Sequence, residues 1–299
     1  MKKILLGSIL VSAVLMADVS TFTPYFGTIN YDNSNDKSLK DDAKFGGFYA
    51  SSGNLDHLWE FSYTYLKIKY KDALNINDLK QNDATVIYGS YYENFMYKLG
   101  FHYIDNNEDE SFRDLGSGYV GIVGIAGYNW FDKNKLTYGL DTYFSFYRHA
   151  HNETSLLNTQ HINVSQFTPY ITYTNVISLK SSNTFTLKAN IISASDYLDS
   201  SYFSYEISDT FVYNKFYTTV KYSGGKMKSG VTDGGFTVFN TKDLMKDSYS
   251  AKIGYYFKPN LSVDISYTVN HYEEYNADTL QLLPEGRRSI ALITVNYTF

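Results

Sequence analysis

Ala291-Leu292-Ile293-Thr294-Val295-Asn296-Tyr297-Thr298-Phe299 is the stretch on which the fold turns. In an extended chain, successive side chains point to opposite faces. Ala291, Ile293, Val295, Tyr297 and Phe299 then share one face, which is apolar and ends in two aromatics. Leu292, Thr294, Asn296 and Thr298 share the other, which is mostly polar. Such a strand suits either a soluble β-sandwich or the wall of a barrel in lipid. The remainder of the chain has to choose between them.

Segments of the same kind recur throughout. About fourteen can be marked, near residues 21–31, 44–52, 57–70, 84–92, 95–104, 117–130, 135–149, 161–176, 184–194, 202–213, 216–223, 248–257, 261–272 and 288–299. Their connections alternate short and long. The short ones hold turn formers: Gly53-Asn54, Glu93-Asn94, Asp132-Lys133-Asn134, Ser181-Ser182-Asn183, Asn214-Lys215 and Pro259-Asn260. The long ones are polar and charged, and only the link near 196–201 is short where a long one is due. A sandwich has no reason to gather its long loops at one end, whereas a membrane barrel does. The expected architecture is an all-β transmembrane antiparallel barrel of about 14 strands, with 12 or 16 as alternatives.

Reading the faces strand by strand separates lipid from lumen. Phe95, Tyr97, Leu99 and Phe101 face out, while Lys98 and His102 face in. The same parity turns Asp141, Lys188, Glu206, Lys221, Lys252 and Asp264 inward. These eight are the candidate pore-lining residues. Two places resist the pattern. Asp209 falls on the lipid face, where a carboxylate is costly, so a bulge that shifts the register is expected there. Residues 117–130 are apolar on both faces, and their glycines mark either sharp curvature or a wall against which a loop packs. The longest loop, Gly224 to Asp247, carries five glycines and the quartet Phe236-Thr237-Val238-Phe239. It is expected to extend its flanking strands as a hairpin, with a lid over the mouth as the alternative.

Composition agrees with this class. The chain has 299 residues, no Cys, and a net charge of −5, which argues against a nucleic-acid partner. Aromatics make up 18%, with Tyr 31, and after residue 17 no apolar run approaches the roughly 20 residues of a spanning helix. Lys2-Lys3, the apolar run Ile4 to Met16, and Ala17 before Asp18 form a secretory signal pattern. Residues 1–17 are therefore expected to be a cleaved signal peptide, and 18–299 a single barrel domain.

Together these features resemble Gram-negative outer-membrane β-barrel proteins, whose last strand typically closes on a Phe with an aromatic two residues earlier. In size and strand number the chain is similar to the monomeric porins of about 14 strands. The resemblance implies that Tyr297 and Phe299 are the signal read by the barrel-assembly machinery. It further implies contact with outer-membrane lipid and lipopolysaccharide, and a monomer.

No catalytic arrangement is legible. His161-Ile162-Asn163-Val164-Ser165 lacks the His-x-Ser-Asn-Gly order of phospholipase barrels, and no Asp-x-His of the surface proteases occurs. His149 and His151 would share a strand face, but no third metal ligand is identifiable, and with His161 they read as groups near a wet rim. No enzyme activity, metal or cofactor is expected. A barrel of this strand number is wider than side chains alone fill. The expected function is a porin passing ions and small hydrophilic solutes through a water-filled lumen. The alternative is a closed barrel that serves as an adhesin or membrane anchor through its loops.

Overall fold

Period-two alternation leaves these segments one way to bury polar backbone in lipid: pairing edge to edge until no edge remains. A computed structural model of the chain describes residues 19–32, 40–54, 56–71, 77–108, 114–149, 160–195, 200–238, 243–274 and 285–299. The expected signal peptide lies outside the described residues. The strands are β1 (Val19–Asp32), β2 (Lys40–Gly53), β3 (Leu58–Tyr70), β4 (Leu79–Tyr92), β5 (Phe95–Glu108), β6 (Asp114–Phe131), β7 (Asn134–His149), β8 (Gln160–Ser178), β9 (Ser181–Ala194), β10 (Ser201–Tyr213) and β11 (Phe216–Met227). A two-residue pair, β12 (Val231–Thr232) and β13 (Thr237–Val238), precedes β14 (Asp243–Lys258), β15 (Leu261–Glu274) and β16 (Gly286–Thr298).

Fourteen strands, all but β12 and β13, form one closed antiparallel barrel, and β16 seals it against β1. The seam is tied at its end by the Phe299 amide, which donates to the Ser20 carbonyl at 2.8 Å. The strand number and the all-β class are those expected from the sequence.

The turns β2–β3, β4–β5, β6–β7, β8–β9, β10–β11 and β14–β15 lie at one end of the barrel, and the short β9–β10 link lies at the other. The first residue of three of these turns, Glu93, Asp132 and Asn214, is left-handed with φ between 51° and 56°. The β8–β9 turn is Leu179–Lys180 rather than the expected Ser181–Asn183, because Asn183 is held in the wall by its bond to Asp209. Exposed aromatics flank this end of the barrel: Tyr92 and Phe95, Trp130 and Phe131, Tyr213 and Phe216, Phe257 and Phe299. That is the girdle expected where the apolar exterior meets headgroups.

The expected bulge at Asp209 is absent. β10 keeps an unbroken register with both β9 and β11. Asp209 stays on the outer face of the barrel, where Asn183 Nδ2 donates to it at 2.7 Å. A side-chain partner near the turn end makes a register shift unnecessary.

Candidate functional site

The lumen has two kinds of wall. Ile87, Val120, Ile122, Ile162, Val164 and Ile192, from β4, β6, β8 and β9, form part of one buried apolar cluster. Around it stand ionic pairs: Lys98 with Asp141 at 3.0 Å, Lys188 with Glu206 at 3.3 Å, and Lys221 with Glu206 at 3.5 Å. Lys252 stands 3.9 Å from Asp264, which also accepts from Tyr217 at 2.8 Å and from Asn296 at 3.0 Å. Near the long-loop end, Asp243 is shared by Lys40 and Arg288, each at 3.1 Å. Charges inside a barrel are tolerable when they are paired in this way.

The structure thus joins seven of the eight candidate lumen residues into three ionic groups. The eighth, His102, lies apart and is buried at the apolar wall. Its Nδ1 meets Thr85 Oγ1 at 2.6 Å, and its Nε2 has no partner among the described residues. Tyr297 and Phe299 sit outside on the barrel seam with their rings edge to face, 4.7 Å apart. Of the histidine group expected at a rim, only the His161 side chain can be placed, since that of His149 lies outside the described residues. His161 is exposed and stacks on Phe146 on the outer surface, and His151 lies outside the described residues.

Part of the longest loop enters the lumen. After Met227 the chain leaves the wall and turns inward, so the expected hairpin extension stops there, where a register shift separates Gly224 from Met227. β12 and β13 pair with each other. Their tip is a 3₁₀ turn, Asp233–Gly235, whose three residues are all left-handed (φ 51°, 74° and 118°). The segment reaches strands on several sides. Gly235 lies against Ile122 of β6, the Gly234 carbonyl accepts from Lys98 of β5 at 3.2 Å, and the Phe236 ring meets Tyr49 of β2 edge on at 5.5 Å. Asp233 Oδ1 is 3.5 Å from the Lys221 ammonium. β5 and β6 lie across the barrel from β11 and β14, where the segment is rooted. Residues 229–238 therefore cross the lumen.

Two features hold the segment there. Gln166 of β8 is almost wholly buried and pairs with Val231 in both directions. Its Nε2 donates to the Val231 carbonyl at 2.8 Å, and its Oε1 accepts from the Val231 amide at 2.7 Å. Thr168 and Asn190 complete that polar web. On β6, Gly124 gives room to the Lys98–Asp141 pair, since a Cβ there would run into both side chains. The loop does pack on the 117–130 wall, but through Ile122; a Cβ at the wall's own Gly118, Gly124 or Gly127 would meet Tyr147, the Lys98–Asp141 pair or Tyr138, which are side chains of the barrel itself.

Sequence reasoning passed over Gln166 and Asp233. A signal existed for the first. Gln166 shares its face with Ile162 and Val164, and a lone amide among aliphatics requires a partner. Asp233 carried none, since an acid in a Gly-rich loop reads as solvated.

No protein-family profile and no curated protein matches the chain. Among solved structures, it is similar to the Pseudomonas putida toluene transporter TodX, with a TM-score of 0.55, 8% identity, and coverage of 96% of this chain and 92% of that one. It is similar to the CymD monoaromatic hydrocarbon channel, with a TM-score of 0.52, 8% identity and coverage of 96% and 90%. CdiB from Acinetobacter baumannii gives a TM-score of 0.54 at 8% identity, over 94% of this chain and 60% of that one. At these identities the likeness is one of fold: that of outer-membrane β-barrels.

Proposed function

We propose that the protein is an outer-membrane channel for small solutes, constricted by the segment between β11 and β14. The observation that carries this reading is the lumen of a closed 14-strand barrel, crossed by residues 229–238 and lined by paired charges. Side chains fill an eight-stranded barrel, and a barrel of this size has space beyond them. Passage of ions and small hydrophilic solutes is the finer form of the proposal, supported by the ionic groups on the inner face.

A second form has its own support. The apolar cluster of the inner wall would favour solutes with an apolar body, and two of the similar structures are a monoaromatic hydrocarbon channel and a toluene transporter. The test is single-channel current of the refolded protein in a planar bilayer, followed by solute uptake into loaded liposomes. Discrete current steps with sugar-driven swelling support the hydrophilic form. Current steps without swelling, with uptake of an aromatic solute, support the second. A folded barrel that neither conducts nor admits solute removes the channel reading and leaves the loops as the functional surface.

A further inference from the structure

The infolded tip places a carboxylate among lysines that belong to the wall. Lys221 lies 3.5 Å from Glu206 and 3.5 Å from Asp233, and Lys188 lies 3.3 Å from Glu206. With Asp233 present, two ammonium groups face two carboxylates. Without it the wall keeps two positive charges against one negative. The wall alone is therefore a site with a vacancy for one anion, and the segment fills that vacancy from the lumen side.

The residues on either side of Asp233 fill apolar places. Val231, two residues before it, is buried in the inner apolar cluster. Phe236, three residues after it, packs on that cluster and meets the Tyr49 ring edge on. The tip achieves this from three successive left-handed residues, including Asp233 at φ 51°. A non-glycine residue there is uncommon, although Asp is among those that tolerate it. Asp233 itself remains half exposed, so water and solute can reach its carboxylate.

We propose that the Lys188–Glu206–Lys221 group is a binding site for small carboxylates with an apolar body, and that Asp233 with its apolar neighbours occupies it in the resting channel. This deepens the channel reading, which supplies the route by which such a solute arrives. A carboxylate that takes Lys221 displaces Asp233, and its apolar body takes the space that Val231 and Phe236 vacate. Solute binding and withdrawal of the segment are then one event, and neither half of the solute suffices alone. A plain anion lacks the apolar contacts, and a plain hydrocarbon cannot replace the charge.

The experiment is equilibrium dialysis of labelled benzoate against the full-length folded protein in amphipol, with acetate and toluene as the two half-solutes. Heat-dependent gel migration verifies the fold of every variant. The Asp233→Asn protein is expected to bind benzoate at least about tenfold more tightly than the unaltered chain, because the internal competitor is gone. Adding Lys221→Gln to it, or Lys188→Gln where that protein does not fold, is expected to abolish saturable binding. Acetate and toluene are expected to bind at least about tenfold more weakly than benzoate. Equal affinity in Asp233→Asn and the unaltered chain, or binding that survives loss of the lysines, overturns the proposal. Dialysis does not depend on conduction. A silent barrel that binds benzoate removes the channel and keeps the site, and a conducting barrel that does not bind it does the reverse.

Discussion

At the scale of single residues, two side chains govern whether the segment stays inside. Gln166 satisfies both backbone groups of Val231 in a place closed to water. Replacing it by Leu leaves a buried donor and a buried acceptor without partners, at about 1–3 kcal/mol each. Gln166→Leu is therefore expected to raise the open fraction of the channel by at least about tenfold, read as open probability in a planar bilayer. An open probability equal to that of the native chain would remove Gln166 as the latch. Asp233 adds a pH dependence. The neighbouring Lys221 ammonium, aided by Lys188 and the Thr237 hydroxyl, holds its carboxyl below the ordinary range. A lowered value means that docking is favoured fully above the pH at which a free Asp titrates, about 3.9, and is lost as pH falls through the lowered value. Conductance is expected to hold steady from neutrality to about pH 5 and to rise only in stronger acid, with that step missing in Asp233→Asn. A step near pH 6 would belong to a histidine instead.

At the scale of elements, legibility followed periodicity. β5, β7, β9, β10, β14 and β15 each pair an apolar outer face with a polar inner one, so their sides could be read from residues such as Leu99 against Lys98. β6 could not be read this way, because Val120 and Ile122 face the lumen while Val123 and Ile125 face lipid. Its inner face is apolar because the infolded segment covers it, and a segment distant in the chain leaves no trace in local alternation. The segment was illegible for the same reason. Glycines and an apolar quartet serve a hairpin as well as an infolding, and the deciding partners lie on β2, β5, β6 and β8. Gly235 shows what the infolding requires. At φ 118° it holds a conformation that other residues adopt only at a cost of about 1–3 kcal/mol, and a Cβ there would also press on Ile122. Gly235→Ala is expected to free the segment, so that protease cuts within 228–238 on intact barrels while heat-dependent migration stays unchanged. Protection equal to that of the native chain would show that the tip tolerates the substitution and is not a point of control.

At the scale of the whole molecule, the four lysines of the candidate lumen groups are matched by four carboxylates. Lys98, Lys188, Lys221 and Lys252 stand against Asp141, Glu206, Asp233 and Asp264, and each lysine lies within 4 Å of a carboxylate. Selectivity follows rings of one sign, and no such ring is formed by these groups. The native channel should therefore show a small reversal potential in a salt gradient. Either sign can be exposed by removing the other. Converting the four lysines to Gln leaves four carboxylates along the path and should move the reversal potential toward the cation value, while Asp233→Asn alone should move it the opposite way. Part of the first shift will be blunted, because a buried carboxylate stripped of its partner takes up a proton rather than stay charged. The quadruple variant should then be more cation-selective at pH 9 than at pH 5. A reversal potential that ignores both substitutions would mean that current bypasses these groups, and they would not line the conducting path.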